Sequence, residues 1–122
     1  MKHSEGFLKL VNDARSRIRE TTPEEVRQKQ EAGEKFHFVD VREDNEWERG
    51  YAAGAIHLGK GIIERDIETT IPDHDEEIIL YCGGGYRSAL AAAALQRMGY
   101  KNPVSMDGGW KRWCELEYPV EA

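Results

Sequence analysis

The sequence predicts an α/β domain: an open, mainly parallel sheet with helices on both faces and an extra helix at the N-terminus. Short apolar, β-favouring runs alternate along the chain with segments of helical periodicity. Such alternation implies parallel strands joined by right-handed crossovers, with helices covering the sheet on either side. With 122 residues, 39% of them hydrophobic, the chain suits one domain with one core that needs no metal or disulfide to fold.

Each element has its own signal. Phe7, Val11, Ala14 and Ile18 recur at spacings of four, three and four, lining one side of a helix and leaving Asp13, Arg15 and Arg17 in water. Residues 1–20 are therefore expected to be a helical extension packed on a domain spanning 21–122. Thr22, Pro23 and Glu25 read as a capping box, and Gly33 as a left-handed cap, which makes Pro23 to Ala32 a helix. FHFVDV, Phe36 to Val41, reads as a strand; Asp44 to Arg49 as a brief helix stopped by Gly50; and Ile56 to Leu58 as another short strand. Gly59 to Glu77 reads as a surface connection with a short helix around Ile62 to Ile67 and a polar turn at Pro72 to Asp75. Ile78 to Tyr81 is a strand, Ser88 to Met98 a helix ended by Gly99, and Pro103 to Met106 a strand before the Gly108, Gly109 turn.

Composition narrows the function classes. The 17 basic and 23 acidic residues give a net charge of -6, which describes an acidic soluble globule and argues against a nucleic-acid partner. The N-terminus is broken by charges and has no apolar h-region, and no long apolar run follows, so neither export nor a membrane partner is expected. Cys82 and Cys114 lie far apart and outside any CxxC pair, which points away from a disulfide framework and towards a reducing cytoplasm. His3, His37 and His74 lack ligand spacing with each other or with the cysteines, so no metal and no cofactor are expected.

The residues that carry chemistry lie in ILYCGGGYRS. In open α/β sheets the ligand crevice lies outside the carboxyl ends of the strands, and Cys82 follows Tyr81 at such an end. Gly83, Gly84 and Gly85 lack Cβ atoms, so their N–H groups can turn towards a common centre. The helix that follows directs its positive end to the same place, favouring a thiolate. From Ile78 to Met106 there is no Asp or Glu, while Arg87, Arg97 and Lys101 are cationic, so an anionic ligand is expected. Part of that absence has a plainer cause, since Leu90, Ala91, Ala94, Leu95 and Met98 form the packing face of a helix. A buried, inert cysteine is the competing reading, and the glycine cradle argues against it.

FVDVREDNEWERGYAAGAIHLG and IILYCGGGYRSALAAAALQRMGYKNPVSMDGGWKRW resemble the DVRE, GAIH, CxxGxRS, GY and GGWxxW signatures of the rhodanese family, the single-domain sulfurtransferases, over about Thr21 to Val120. The resemblance implies a rhodanese-like fold, usually with five strands, and a loop beginning at a catalytic Cys82 that carries sulfur as a persulfide. The amides of Gly83, Gly84, Gly85, Tyr86 and Arg87 would hold that persulfide, and the Arg87 guanidinium would steady an incoming donor. The donor would be thiosulfate or another small anionic persulfide donor, and the acceptor cyanide, a thiol or a protein. A protein-partnered sulfur carrier with little free turnover is the alternative. Phosphatases of the same fold resemble C-x5-R, whereas only GGGY separates Cys82 from Arg87. Tyr51 and Ala53 stand where the family commonly has His and Pro, and Glu117 where it commonly has Gly. The loop has no basic side chain beyond Arg87, so it does not by itself select thiosulfate.

Other conspicuous residues carry two readings each. Asp40 and Arg42 end the Phe36 strand and would either rim the pocket or form a structural ion pair. Trp47, Trp110 and Trp113 would cover core surface or wall the pocket. His57 reads as a hydrogen-bonded structural residue ahead of a general base. Cys114 reads as a packing residue ahead of a resolving thiol.

Overall fold

The computed structural model describes residues 2–122. A five-stranded parallel sheet runs in the order β1-β6-β5-β2-β4, with β1 Arg19–Thr21, β2 His37–Asp40, β4 Ile56–His57, β5 Glu77–Tyr81 and β6 Asn102–Met106. Among the described residues six helices surround it: α1 Glu5–Arg15, α2 Pro23–Glu31, α3 Asp44–Trp47, α4 Ile63–Thr70, α5 Tyr86–Arg97 and α6 Gly109–Glu115. A two-residue antiparallel pair, β3 Tyr51–Ala52 with β7 Val120–Glu121, ties the C-terminus back to the domain.

β5 is central because its apolar run is continuous, which only a strand covered on both faces tolerates. Ile78 and Leu80 point into a core with Ile67 and Leu95, while Ile79 and Tyr81 point into a second core with Val26, Phe38 and Trp113. Each buried aliphatic contributes about 1.5–3 kcal/mol relative to exposure. Parallel pairing sets Asp40 beside Tyr81, so β2 and β5 end together and Cys82 emerges at the carboxyl edge of the sheet.

The N-terminal helix is present and lies on the outside of α5. Val11 and Ala14 pack against Ala89 and Ala93, whose small side chains let the two helices approach. Ser4 caps α1 by accepting the Phe7 N–H at 3.3 Å, and Thr22 caps α2 by accepting the Glu25 N–H at 3.2 Å. The fifth strand, which the family resemblance implied, had no local signal of its own: β1, Arg-Glu-Thr, has no apolar run, and its strand character comes from pairing with Val104, Ser105 and Met106 at the sheet edge. Two helices also differ in extent. α5 starts at Tyr86, two residues before the expected Ser88, because Gly85 takes a φ of 109° at its N-cap. α4 runs on to Thr70, burying Ile63 and Ile67.

Candidate active site

The loop from Cys82 to Gly85 owes its shape to α6. The Trp110 N–H donates to the Cys82 carbonyl at 2.8 Å, the Lys111 N–H to Gly83 at 3.0 Å, and the Gly108 N–H to Gly84 at 3.2 Å. Three consecutive carbonyls are thus drawn to one side of the loop. The approach requires glycine at the start of α6: a Cβ on Gly109 would run into the Cys82 carbonyl and lie 2.9 Å from the Gly83 carbonyl carbon. A Cβ on Gly85 would lie 3.0 Å from the Asp107 carboxylate.

With the carbonyls held away, amides face the sulfur. Cys82 Sγ accepts the Gly85 N–H at 3.2 Å and the Ser88 N–H at 3.4 Å, both inside the buried start of α5. Its thiol lies 3.6 Å from Ser88 Oγ, which in turn shares a hydrogen bond of 2.8 Å with Ser105 Oγ of β6. Cys82 itself is 1% exposed. Of the residues expected to cradle the sulfur, Gly85 donates directly, and Ser88 joins it. Ser88 was legible only as the last letter of CxxGxRS.

Arg87 has a partner the sequence did not reveal. Its guanidinium grips the Glu46 carboxylate through bonds of 2.8 and 3.2 Å, and Glu46 also accepts the Glu43 N–H at 3.0 Å in the capping box of α3. The Arg87 bond holds the Glu46 carboxyl below the usual carboxylate range, against the opposing effect of burial. The reading of a cationic neighbourhood, drawn from the acid-free stretch around the loop, is corrected here: α3 brings an acid against the one arginine of the loop. Cys82, Gly84, Tyr86, Arg87 and Glu46 line a cavity of about 550 Å³, closed on one side by His3 and Phe7. The Tyr86 ring lies 4.4 Å from the His3 ring, and the Arg15 guanidinium sits 4.9 Å over it.

This loop and fold find their match among known proteins. A model of the Rhodanese-like domain covers residues 22–116. The chain belongs to the rhodanese-like family. It is 32% identical over 104 residues to "Thiosulfate sulfurtransferase GlpE" of Haemophilus influenzae, covering 85% of this chain and 95% of that protein. It is 33% identical over 98 residues to "Probable adenylyltransferase/sulfurtransferase MoeZ" of Mycobacterium tuberculosis, covering 80% of this chain but only 25% of that protein's length. A solved structure from Rhodopseudomonas palustris, described as a protein of unknown function and possible tyrosine phosphatase, superposes with a TM-score of 0.89 at 28% identity, over 99% of this chain and 98% of that chain.

The remaining residues singled out in this rhodanese-like domain serve mainly as scaffold. Asp40 and Arg42 are 0% and 3% exposed. The Arg42 guanidinium donates to Asp40 at 2.7 to 3.0 Å and to the Gly50 carbonyl at 2.7 Å, and it stacks 4.5 Å over Trp110. The pair faces inward and is separate from the residues lining the Cys82 cavity. His57 Nε2 donates to the Arg42 carbonyl at 2.8 Å, and its ring forms a stack with Trp47 and Tyr51. That stack occupies Tyr51, one of the residues that depart from the family pattern. Trp113 is fully buried, with Nε1 donating to the Pro119 carbonyl at 2.8 Å. Cys114 is exposed, contrary to the packing role expected of it, because the register of α6 buries Gly109 and Trp113 and turns Cys114 outward.

Proposed function

We propose that this protein is a sulfurtransferase, moving sulfane sulfur from thiosulfate or another persulfide donor to a thiophilic acceptor through a persulfide on Cys82. One observation carries the reading: the Cys82 sulfur accepts the amides of Gly85 and Ser88 while the loop carbonyls are tied to α6 on the other side. Amides fixed in that orientation favour negative charge on sulfur, whether thiolate or persulfide, without reorganising during the reaction. The Cys82 thiolate attacks the outer sulfur of the donor, the donor S–S bond breaks, and sulfite leaves with the electron pair when thiosulfate is used. Cyanide, a thiol or an acceptor protein then attacks the terminal persulfide sulfur, and the thiolate is restored. No oxidant or cofactor enters either half.

The sulfurtransferase names of the Haemophilus and mycobacterial relatives support the class. A cytoplasmic setting, with small anionic donors and no nucleic-acid or membrane partner, suits two free thiols and an acidic chain. The phosphatase description of the Rhodopseudomonas neighbour suits this loop less well: four residues separate Cys82 from Arg87, and Arg87 is already engaged by Glu46. Intact mass after thiosulfate treatment is expected to rise by one sulfur and to return on adding cyanide. Cys82→Ala is expected to abolish both changes, and a gain that survives the substitution refutes the reading. Persulfide formation with only slow turnover to free cyanide or thiols identifies the protein-partnered carrier instead.

A further inference from the structure

The cavity beside Cys82 is larger and less charged than a thiosulfate ion requires. Its volume of about 550 Å³ lies within the range of about 300–1,000 Å³ typical of sites for organic ligands. Its one guanidinium is matched by one carboxylate, since Arg87 and Glu46, both in its lining, pair at 2.8 Å. A dianion entering there meets an arginine already compensated.

One wall is aromatic and comes from the N-terminal extension. Phe7 belongs to the first turn of α1, and His3 lies just before the Ser4 cap; their rings are 5.2 Å apart and stand 6.1 and 4.4 Å from that of Tyr86. The wall is held in place by Val11 and Ala14 against α5 and by Arg15, which packs over Tyr86 while pairing with Asp107 at 3.3 Å. His3 and Phe7 precede residue 22, where the match to the Rhodanese-like domain begins. The wall therefore lies outside the matched domain, in a segment that the Rhodopseudomonas palustris structure, superposing over 99% of this chain, also spans.

We infer that His3 and Phe7 make the site selective for an organic sulfane-sulfur donor, a thiosulfonate or persulfide monoanion whose carbon body lies against Phe7 and Tyr86, over thiosulfate. This rests on the sulfurtransferase reading and specifies its donor. With a thiosulfonate, the Cys82 thiolate attacks the terminal sulfur, the S–S bond breaks, and the electron pair leaves with the sulfinate. The persulfide remains on Cys82, total charge is conserved, and nothing outside the donor is oxidised or reduced. A monoanion leaves less charge unmatched beside the Arg87–Glu46 pair, and its carbon body covers apolar surface that thiosulfate leaves wet.

The test compares benzenethiosulfonate, methanethiosulfonate and thiosulfate with the full chain, reading thiocyanate formed from cyanide against a Cys82→Ala blank. In the wild type, kcat/KM for benzenethiosulfonate is expected to exceed that for each of the other donors by about tenfold, the scale on which an apolar pocket discriminates. Phe7→Ala is expected to bring the benzene-to-methane ratio close to unity, and Glu46→Gln to shift preference towards thiosulfate by a few-fold. Equal kcat/KM for the three donors in the wild type, which needs no folded variant, overturns the inference and leaves the sulfurtransferase reading standing. A benzene-to-methane ratio unchanged in Phe7→Ala overturns it as well. No persulfide from any donor removes both.

Discussion

Gly109 shows how much of the site depends on one backbone position outside the motif that carries the cysteine. It stands where the α6 backbone approaches Cys82 and Gly83, with a φ of 51°. Gly109→Ala must push the loop away or distort α6, and is expected to cost about 1–3 kcal/mol with loss of most persulfide formation. Thermal unfolding and intact mass after donor treatment read the two effects separately; wild-type values for both count against the role assigned to α6. Glu46 offers a pH test at the same scale. Its folded pKa is depressed from the ordinary 4.5, chiefly by the Arg87 bond, so the stability it contributes is fully present above that value. It is lost as pH falls through the depressed folded value. The stability difference between wild type and Glu46→Gln is therefore expected to be constant near neutrality and to shrink below about pH 4.5. A difference that grows on acidification contradicts the pairing.

Among the elements, the turn after α6 has the clearest energetic reading. Glu117 is the one non-glycine residue with positive φ, 57°, among the described residues, and it stands where the family pattern has glycine. A left-handed L-residue costs about 1–2 kcal/mol, part of which glycine returns through its greater freedom in the unfolded chain. Glu117→Gly is expected to raise stability by up to about 1 kcal/mol, read as a higher denaturant midpoint at unchanged slope. A lower midpoint means that Glu117 makes a compensating contact. Some helix ends were legible: Thr22 caps α2 where its side chain dictates, and Gly33 and Gly99 close α2 and α5 with φ of 72° and 93°. β1 was not legible, because a polar triplet acquires strand geometry only when β6 offers a free edge.

Across the whole molecule, stability should be graded outward from β5, which is paired on both sides and buried on both faces. Native-state hydrogen exchange is expected to protect Ile78 to Tyr81 most, with β1 and the exposed β7 opening at much lower free energy. Uniform protection across these strands contradicts the layered order. The sequence alone determined the parallel α/β architecture, the position of Cys82 at a strand end and the glycine loop behind it, because strand and helix periods and turn chemistry are local properties of neighbouring residues. Only the tertiary structure decided that Glu46, 41 residues away, would compensate Arg87, and that His3 and Phe7 would wall the cavity. Such pairings depend on where the sheet order and helix packing carry distant segments, and no short stretch of sequence encodes that separation in space.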